Sequence, residues 1–159
     1  MNSARITRPK AFVAISALAF ALVCSLAIAQ PSVYAQGQTF TAKLTGKDEV
    51  PPVNTQATGT AQFQLSSDGK ELSYDLSATN LQGFMMAHIH QGKAGENGQP
   101  VTTPLSMGKG KITSSDLQGA LAGKQMSDLV GIMKNGGAYV NVHTNKNQNG
   151  EIRGQIMSG

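Results

Sequence analysis

The sequence predicts an all-β fold, an antiparallel sandwich or barrel with one or two short helices. Three observations carry that expectation. Apolar and polar residues alternate with period two in several short runs, the mark of half-buried strands. Asp68-Gly69 stands between two such runs, and Gly supplies the positive φ that a tight hairpin needs. Polar, Gly-rich segments separate the runs at short spacing, which fits a sandwich or barrel rather than strand–helix–strand units.

The elements follow in chain order. Thr39 to Thr45 places Phe40, Ala42 and Leu44 on one face of a strand. In Asp48 to Val53, Pro51 and Pro52 remove two backbone donors, so the segment is irregular or an edge. Ala61, Phe63 and Leu65, then Leu72, Tyr74 and Leu76, form the two arms of the hairpin around Ser67 to Lys70. Phe84 to Gln91 is a further strand, and Gln91 to Pro100 a polar loop with three glycines. Lys109 to Thr113 reads as a short strand, and Ser115 to Gly123 and Ser127 to Gly136 as short helices or turns. Ser127 is the expected cap of the second, and Asn135-Gly136-Gly137 its stop. Ala138 to Thr144 and Glu151 to Met157 are the last strands, joined by the polar loop 145–150.

The chain has 159 residues and a formal net charge of +4. Arg5, Arg8 and Lys10 supply three of the thirteen basic residues, leaving ten basic against nine acidic residues beyond them. The basicity therefore belongs mostly to the N-terminus, and no nucleic-acid partner is expected. Three positive charges precede a charge-free apolar stretch, Ala11 to Ala29, with small-residue exits at Ala29 and Ala35. That is the layout of a secretory signal. Residues 1–35 are read as the signal and 36–159 as a single exported domain. A retained membrane anchor is the competing reading, because about 20 apolar residues span a bilayer. Cys24 falls inside the stretch, preceded by Ala21-Leu22-Val23, a poor lipoprotein box. The exported part then has neither a disulfide nor a thiolate and must rest on its apolar core.

The chemistry-bearing signal is the histidines. His88 and His90 are two apart on one strand and so share a face. If Ile89 points into the core, both imidazoles point away from it. His143 follows Val140 and Val142 in the same sense. If the two strands are neighbours, three neutral nitrogen donors converge, suited to copper or zinc. Three ligands with an open position describe a reactive site more than a closed structural one. The plainer reading is a solvated polar face. Glu151 and Arg153 alternate with Ile152 and are expected on the polar side, as an exposed ion pair of little energetic weight or with Arg153 guiding an anion. No serine lies in a nucleophile elbow, and Gly92-x-x-Gly95-x-x-Gly98 lacks the rest of a phosphate loop. Met86 shares the face of His88, though the methionines read mainly as core fillers.

A set of segments running in order over about residues 38 to 157 resembles the CHRD family, the domain of chordin and of many exported microbial proteins. They are Asp48-Glu49-Val50-Pro51-Pro52-Val53, Ala57-Thr58-Gly59-Thr60-Ala61, Ala87-His88-Ile89-His90-Gln91-Gly92 with Gly98-Gln99-Pro100-Val101, Tyr139-Val140-Asn141-Val142-His143-Thr144 and Gly150-Glu151-Ile152-Arg153-Gly154-Gln155-Ile156. The resemblance implies an immunoglobulin-like, Greek-key β-sandwich with a distant likeness to copper–zinc superoxide dismutases. In that likeness His88, His90 and His143 match the copper-binding histidines in type, spacing and order, and Arg153 the substrate-guiding arginine. Gln91 to Val101 carries no histidine, so the bridging and zinc ligands have no counterpart and the implied site is mononuclear.

Two functional readings follow. One is a non-catalytic extracellular binding or structural module of unknown ligand. The other is a mononuclear copper or zinc site at His88, His90 and His143, with weak dismutase-like redox activity as its furthest extension.

Overall fold

The computed structural model describes residues 37–159. The export signal, its exits at Ala29 or Ala35 and Cys24 lie outside the described residues. Among the described residues, eight strands form one antiparallel sheet: β1 (Thr39–Thr45), β2 (Thr58–Leu65), β3 (Glu71–Thr79), β4 (Phe84–Gln91), β5 (Gly108–Thr113), β6 (Ala138–Thr144), β7 (Ile152–Gln155) and β8 (Met157–Ser158). Their order is β4-β6-β7-β1-β2-β3-β5, with β8 on β1. The sheet curls. The stretch before β5 returns to β4, where Ala87 and Leu105 exchange backbone hydrogen bonds of 3.2 and 2.7 Å. The expected sandwich or barrel is thus a sheet wrapped around one core.

Period-two burial builds that core. Phe40, Ala42 and Leu44 of β1, Leu72 and Leu76 of β3, Ala87 and Ile89 of β4, and Val140 and Val142 of β6 are all buried in one cluster. Each large aliphatic side chain so placed contributes roughly 1.5–3 kcal/mol. β1, β4 and β6 have the bounds their alternation predicts. The hairpin pairs Leu65 with Leu72 and Phe63 with Tyr74. Its connection is the five-residue loop 66–70 rather than a two-residue turn. Asp68 Oδ1 accepts from Ser66 Oγ at 2.6 Å and from the Lys70 N–H at 3.1 Å, and Gly69 takes φ 71°.

One α-helix, α1 (Met126–Lys134), closes one end of the core with Leu129 and Met133. Its cap is Gln125, not Ser127. The Gln125 N–H donates to Asp128 Oδ2 at 2.9 Å, so the first turn is closed by Asp128 reaching back. The segment expected as a short helix or turn over 115–123 takes the turn form, as two 3-10 turns, Ser114–Asp116 and Gly119–Leu121. The last predicted strand is split at Ile156, whose N–H bonds the Ala138 carbonyl. β7 lies between β6 and β1, and β8 continues along β1. Among the described residues no helix is long and apolar enough to cross a membrane.

Candidate metal centre

Alternation along β4 and β6 decides where the histidines go. Ala87, Ile89, Val140 and Val142 are fully buried in the core, so His88, His90 and His143 leave by the opposite face. β4 and β6 are neighbours, with Met86 opposite His143, His88 opposite Asn141 and His90 opposite Tyr139. The adjacency that the sequence could only require is present.

That outer face is not bare. Residues 46–53, 92–98 and 145–150 lie over it and supply much of its hydrogen bonding. His90 is buried, and His88 and His143 are half-buried. The three ring centroids lie 5.4 to 5.8 Å apart. One nitrogen from each ring can be chosen so that all three lie within 4.8 Å of one another.

Backbone carbonyls fix two of the rings. His90 Nδ1 is 2.9 Å from the Gly98 carbonyl, and His143 Nδ1 is 2.9 Å from the Gln148 carbonyl. Each Nδ1 must donate, which leaves the Nε2 lone pair free. His90 Nε2, His143 Nε2 and His88 Nδ1 are buried and have no hydrogen-bond partner. Burial pushes His88 down to about 4, helped by the charges His143 and His90 would carry. Burial also lowers His90 and His143, outweighing the carbonyls at Gly98 and Gln148 that favour the proton. All three are therefore neutral donors near pH 7.

Tyr139 ties the site to its cover. Its ring stacks on His90 at 5.0 Å between centroids, and its hydroxyl donates to the Gly98 carbonyl. The Arg153 guanidinium lies 3.4 Å from the Tyr139 ring centroid. Arg153 is 1% exposed. Its Nη2 donates to the Lys93 carbonyl at 2.9 Å and its Nη1 to Asn97 Oδ1 at 3.4 Å.

The expected exposed pairing of Glu151 with Arg153 is not found. Glu151 is buried and accepts from Thr55 Oγ1 at 2.8 Å, Thr144 Oγ1 at 2.6 Å and Asn147 Nδ2 at 3.1 Å. Among the described residues, no ion pair joins it to Arg153. The physical reason is the cover over the outer face, which turns a nominally polar side of β6 and β7 into an interior. Long-range polar groups then satisfy each charge separately. The sequence reading also gave no role to Glu49, 5% exposed, or to Asn141, 4% exposed. Asn141 Nδ2 lies 3.5 Å from Glu49 Oε2. Burial raises Glu49 to about 7 against the opposing charge of Arg153. The signal for Glu49 was available only as membership of the Asp48 to Val53 segment.

Comparison with curated proteins and with solved structures found no match. A family model described as CHRD domain matches residues 40–156, from the second residue of β1 through β7, and includes all three histidines. The chain belongs to the CHRD domain family.

Proposed function

We propose that this domain is an exported binding module whose ligand is one divalent transition-metal ion, held by His88, His90 and His143. The observation that carries the reading is that one nitrogen from each of the three rings lies within 4.8 Å of the others, that each ring has a buried nitrogen without a partner, and that two rings are already locked by carbonyls. Leaving buried polar atoms without partners costs about 1–3 kcal/mol each, so three together point to an occupant that accepts lone pairs. Carbonyl-bound imidazoles are also the usual second shell of histidine metal sites. Metal–nitrogen bonds of about 2.0 Å put ligand nitrogens roughly 3.3–4.1 Å apart in tetrahedral or planar geometry. The spread of up to 4.8 Å closes by less than about 1.5 Å on binding, a side-chain adjustment.

Three imidazoles favour copper(II) over zinc in the general order of divalent affinities. The likeness in donor type, spacing and order to the dismutase copper ligands supports the same choice. The chain's own contribution is to keep the rings neutral, oriented and largely out of water. CHRD domains occur in extracellular proteins, in keeping with an exported carrier or binding role.

The test is a calorimetric copper(II) titration of the purified, metal-free protein and of a His88→Ala/His90→Ala variant. The expected result is one ion per wild-type chain and at least a hundredfold weaker binding in the variant. Equal, substoichiometric copper in both would remove the site.

A further inference from the structure

Outside the histidines, three more buried side-chain atoms among the described residues have no partner: Glu49 Oε1, Asn141 Oδ1 and Gln155 Oε1. The first two belong to adjacent groups. Asn141 Nδ2 is 3.5 Å from the other Glu49 oxygen. Both orphaned oxygens lie within 2.7 Å of the position a Gly150 Cβ would take, Asn141 Oδ1 at 2.5 Å and Glu49 Oε1 at 2.7 Å. Two acceptors thus crowd the same point over Gly150, where Asn141 Nδ2 also lies at 2.6 Å, and neither has a donor of its own. Turning the amide over moves the mismatch to the other side without removing it. One proton on the carboxyl group removes it entirely.

We propose that Glu49 is carried as a neutral carboxylic acid that closes a cyclic pair with the Asn141 amide, Oε1–H donating to Asn141 Oδ1 and Asn141 Nδ2 donating to Oε2. The proton is taken up from solvent as folding buries the carboxyl group. The pair makes Glu49 a positioning residue. It joins the segment after β1 to the middle of β6, directly over Gly150 (φ 132°), where no side chain fits. Gly150 ends the loop 145–150, whose Gln148 carbonyl orients His143. The pair is present with or without a metal at the histidines, so its test is independent of that reading.

Arg153 of β7 is the cation whose charge acts on Glu49, but it spends its guanidinium on the Lys93 carbonyl, Asn97 and the Tyr139 ring and forms no ion pair with Glu49. Asp48, the last residue of the 3-10 turn Gly46–Asp48 that Glu49 follows, opposes ionisation. Lys47 and Lys146 line the two cavities that Glu49 borders. Glu151 is occupied by Thr55, Thr144 and Asn147. His88, opposite Asn141 on β4, stays neutral. Desolvation dominates this balance, and it raises Glu49 to about 7.

A carboxyl group whose folded pKa lies above its unfolded value of 4.5 contributes stability that is whole below 4.5 and lost as pH rises through about 7. Glu49→Gln keeps the paired geometry, as an amide–amide ring, without a titrating proton. The experiment compares folding equilibrium constants of the exported protein and its Glu49→Gln variant by urea denaturation from pH 4 to 9. The histidines titrate alike in both and cancel in the ratio. The expected ratio of wild type to variant is flat below pH 4.5, falls on the order of a hundredfold by pH 8 and is flat above. An isotope-edited infrared spectrum of the wild type should also show a protonated-acid carbonyl band from Glu49 at pH 6 that vanishes by pH 8.5. A pH-independent ratio, or no such band at pH 6, would overturn the proposal. The infrared reading needs only the wild type, so it decides the matter even if the variant does not fold.

Discussion

Replacing Glu151 by Ala separates the observed structure most sharply from an exposed ion pair. The carboxylate accepts three hydrogen bonds, from Thr55, Thr144 and Asn147. Bonds to a charged group are worth about 1.5–3 kcal/mol each. Thr55 and Asn147 lie near solvent and recover part of that from water. Thr144 is fully buried, so its hydroxyl is left without its acceptor at a cost of about 1–3 kcal/mol. The sum after re-solvation is about 3 kcal/mol. With unfolding entropy of about 2.1 cal/mol/K per residue over roughly 120 residues, that lowers Tm by about 12 °C. Circular-dichroism melts at pH 7 read it directly, and a double-mutant cycle with Arg153→Ala supplies the second test. The two groups share no bond, so their coupling should stay below about 0.5 kcal/mol. A Tm loss under about 2 °C, or a coupling above about 1 kcal/mol, would refute the reasoning and restore the surface pair. Acid gives a consistent third reading. Burial pushes Glu151 up, but the hydrogen bonds from Thr144, Thr55 and Asn147 together hold it below the ordinary range. Its contribution is therefore present above the usual glutamate pKa and lost as pH falls below it.

Two glycines should respond in opposite directions. A Cβ at Gly154 of β7 would meet the Lys43 carbonyl oxygen and lie 2.7 Å from its carbon, backbone of β1 that cannot give way. Gly154→Ala is expected to cost more than about 3 kcal/mol in urea denaturation, and a change under about 1 kcal/mol would contradict that packing. Gly131 sits inside α1 with nothing within 4 Å of a built Cβ. Gly131→Ala should stabilise by about 0.5–1 kcal/mol, seen as a higher urea midpoint at unchanged slope.

The strands with one face in the core were legible because apolar period two reports that face. Phe40, Ala42 and Leu44 fixed β1, and Ala87 with Ile89 fixed both β4 and the direction of His88 and His90. The other side of β4, β6 and β7 was misjudged for one reason. Polar residues there do not face water but a second layer of irregular chain, pinned by contacts far apart in sequence. Arg153 to Lys93 and Asn97, Gln155 to Gly92, and Asn141 to Glu49 span 56 to 92 residues. Periodicity carries no information about such partners. It likewise could not show that Ile156 breaks the last strand, where its N–H turns to the Ala138 carbonyl. At α1, Ser127 suggested a cap by residue type. Asp128 capped the turn from inside instead, which shifted the start to Met126. The histidine triad was legible in composition and face, but its convergence needed the adjacency of β4 and β6.

The central claim is that His88, His90 and His143 hold one metal ion. The most direct measurement is a crystal structure of the protein loaded with one equivalent of copper(II), with anomalous data at the copper edge. The expected result is a single strong peak at about 2.0–2.1 Å from one nitrogen of each imidazole, with the Gly98 and Gln148 carbonyls still bonded to His90 and His143. An anomalous peak elsewhere on the surface, or none at the three histidines, would contradict it.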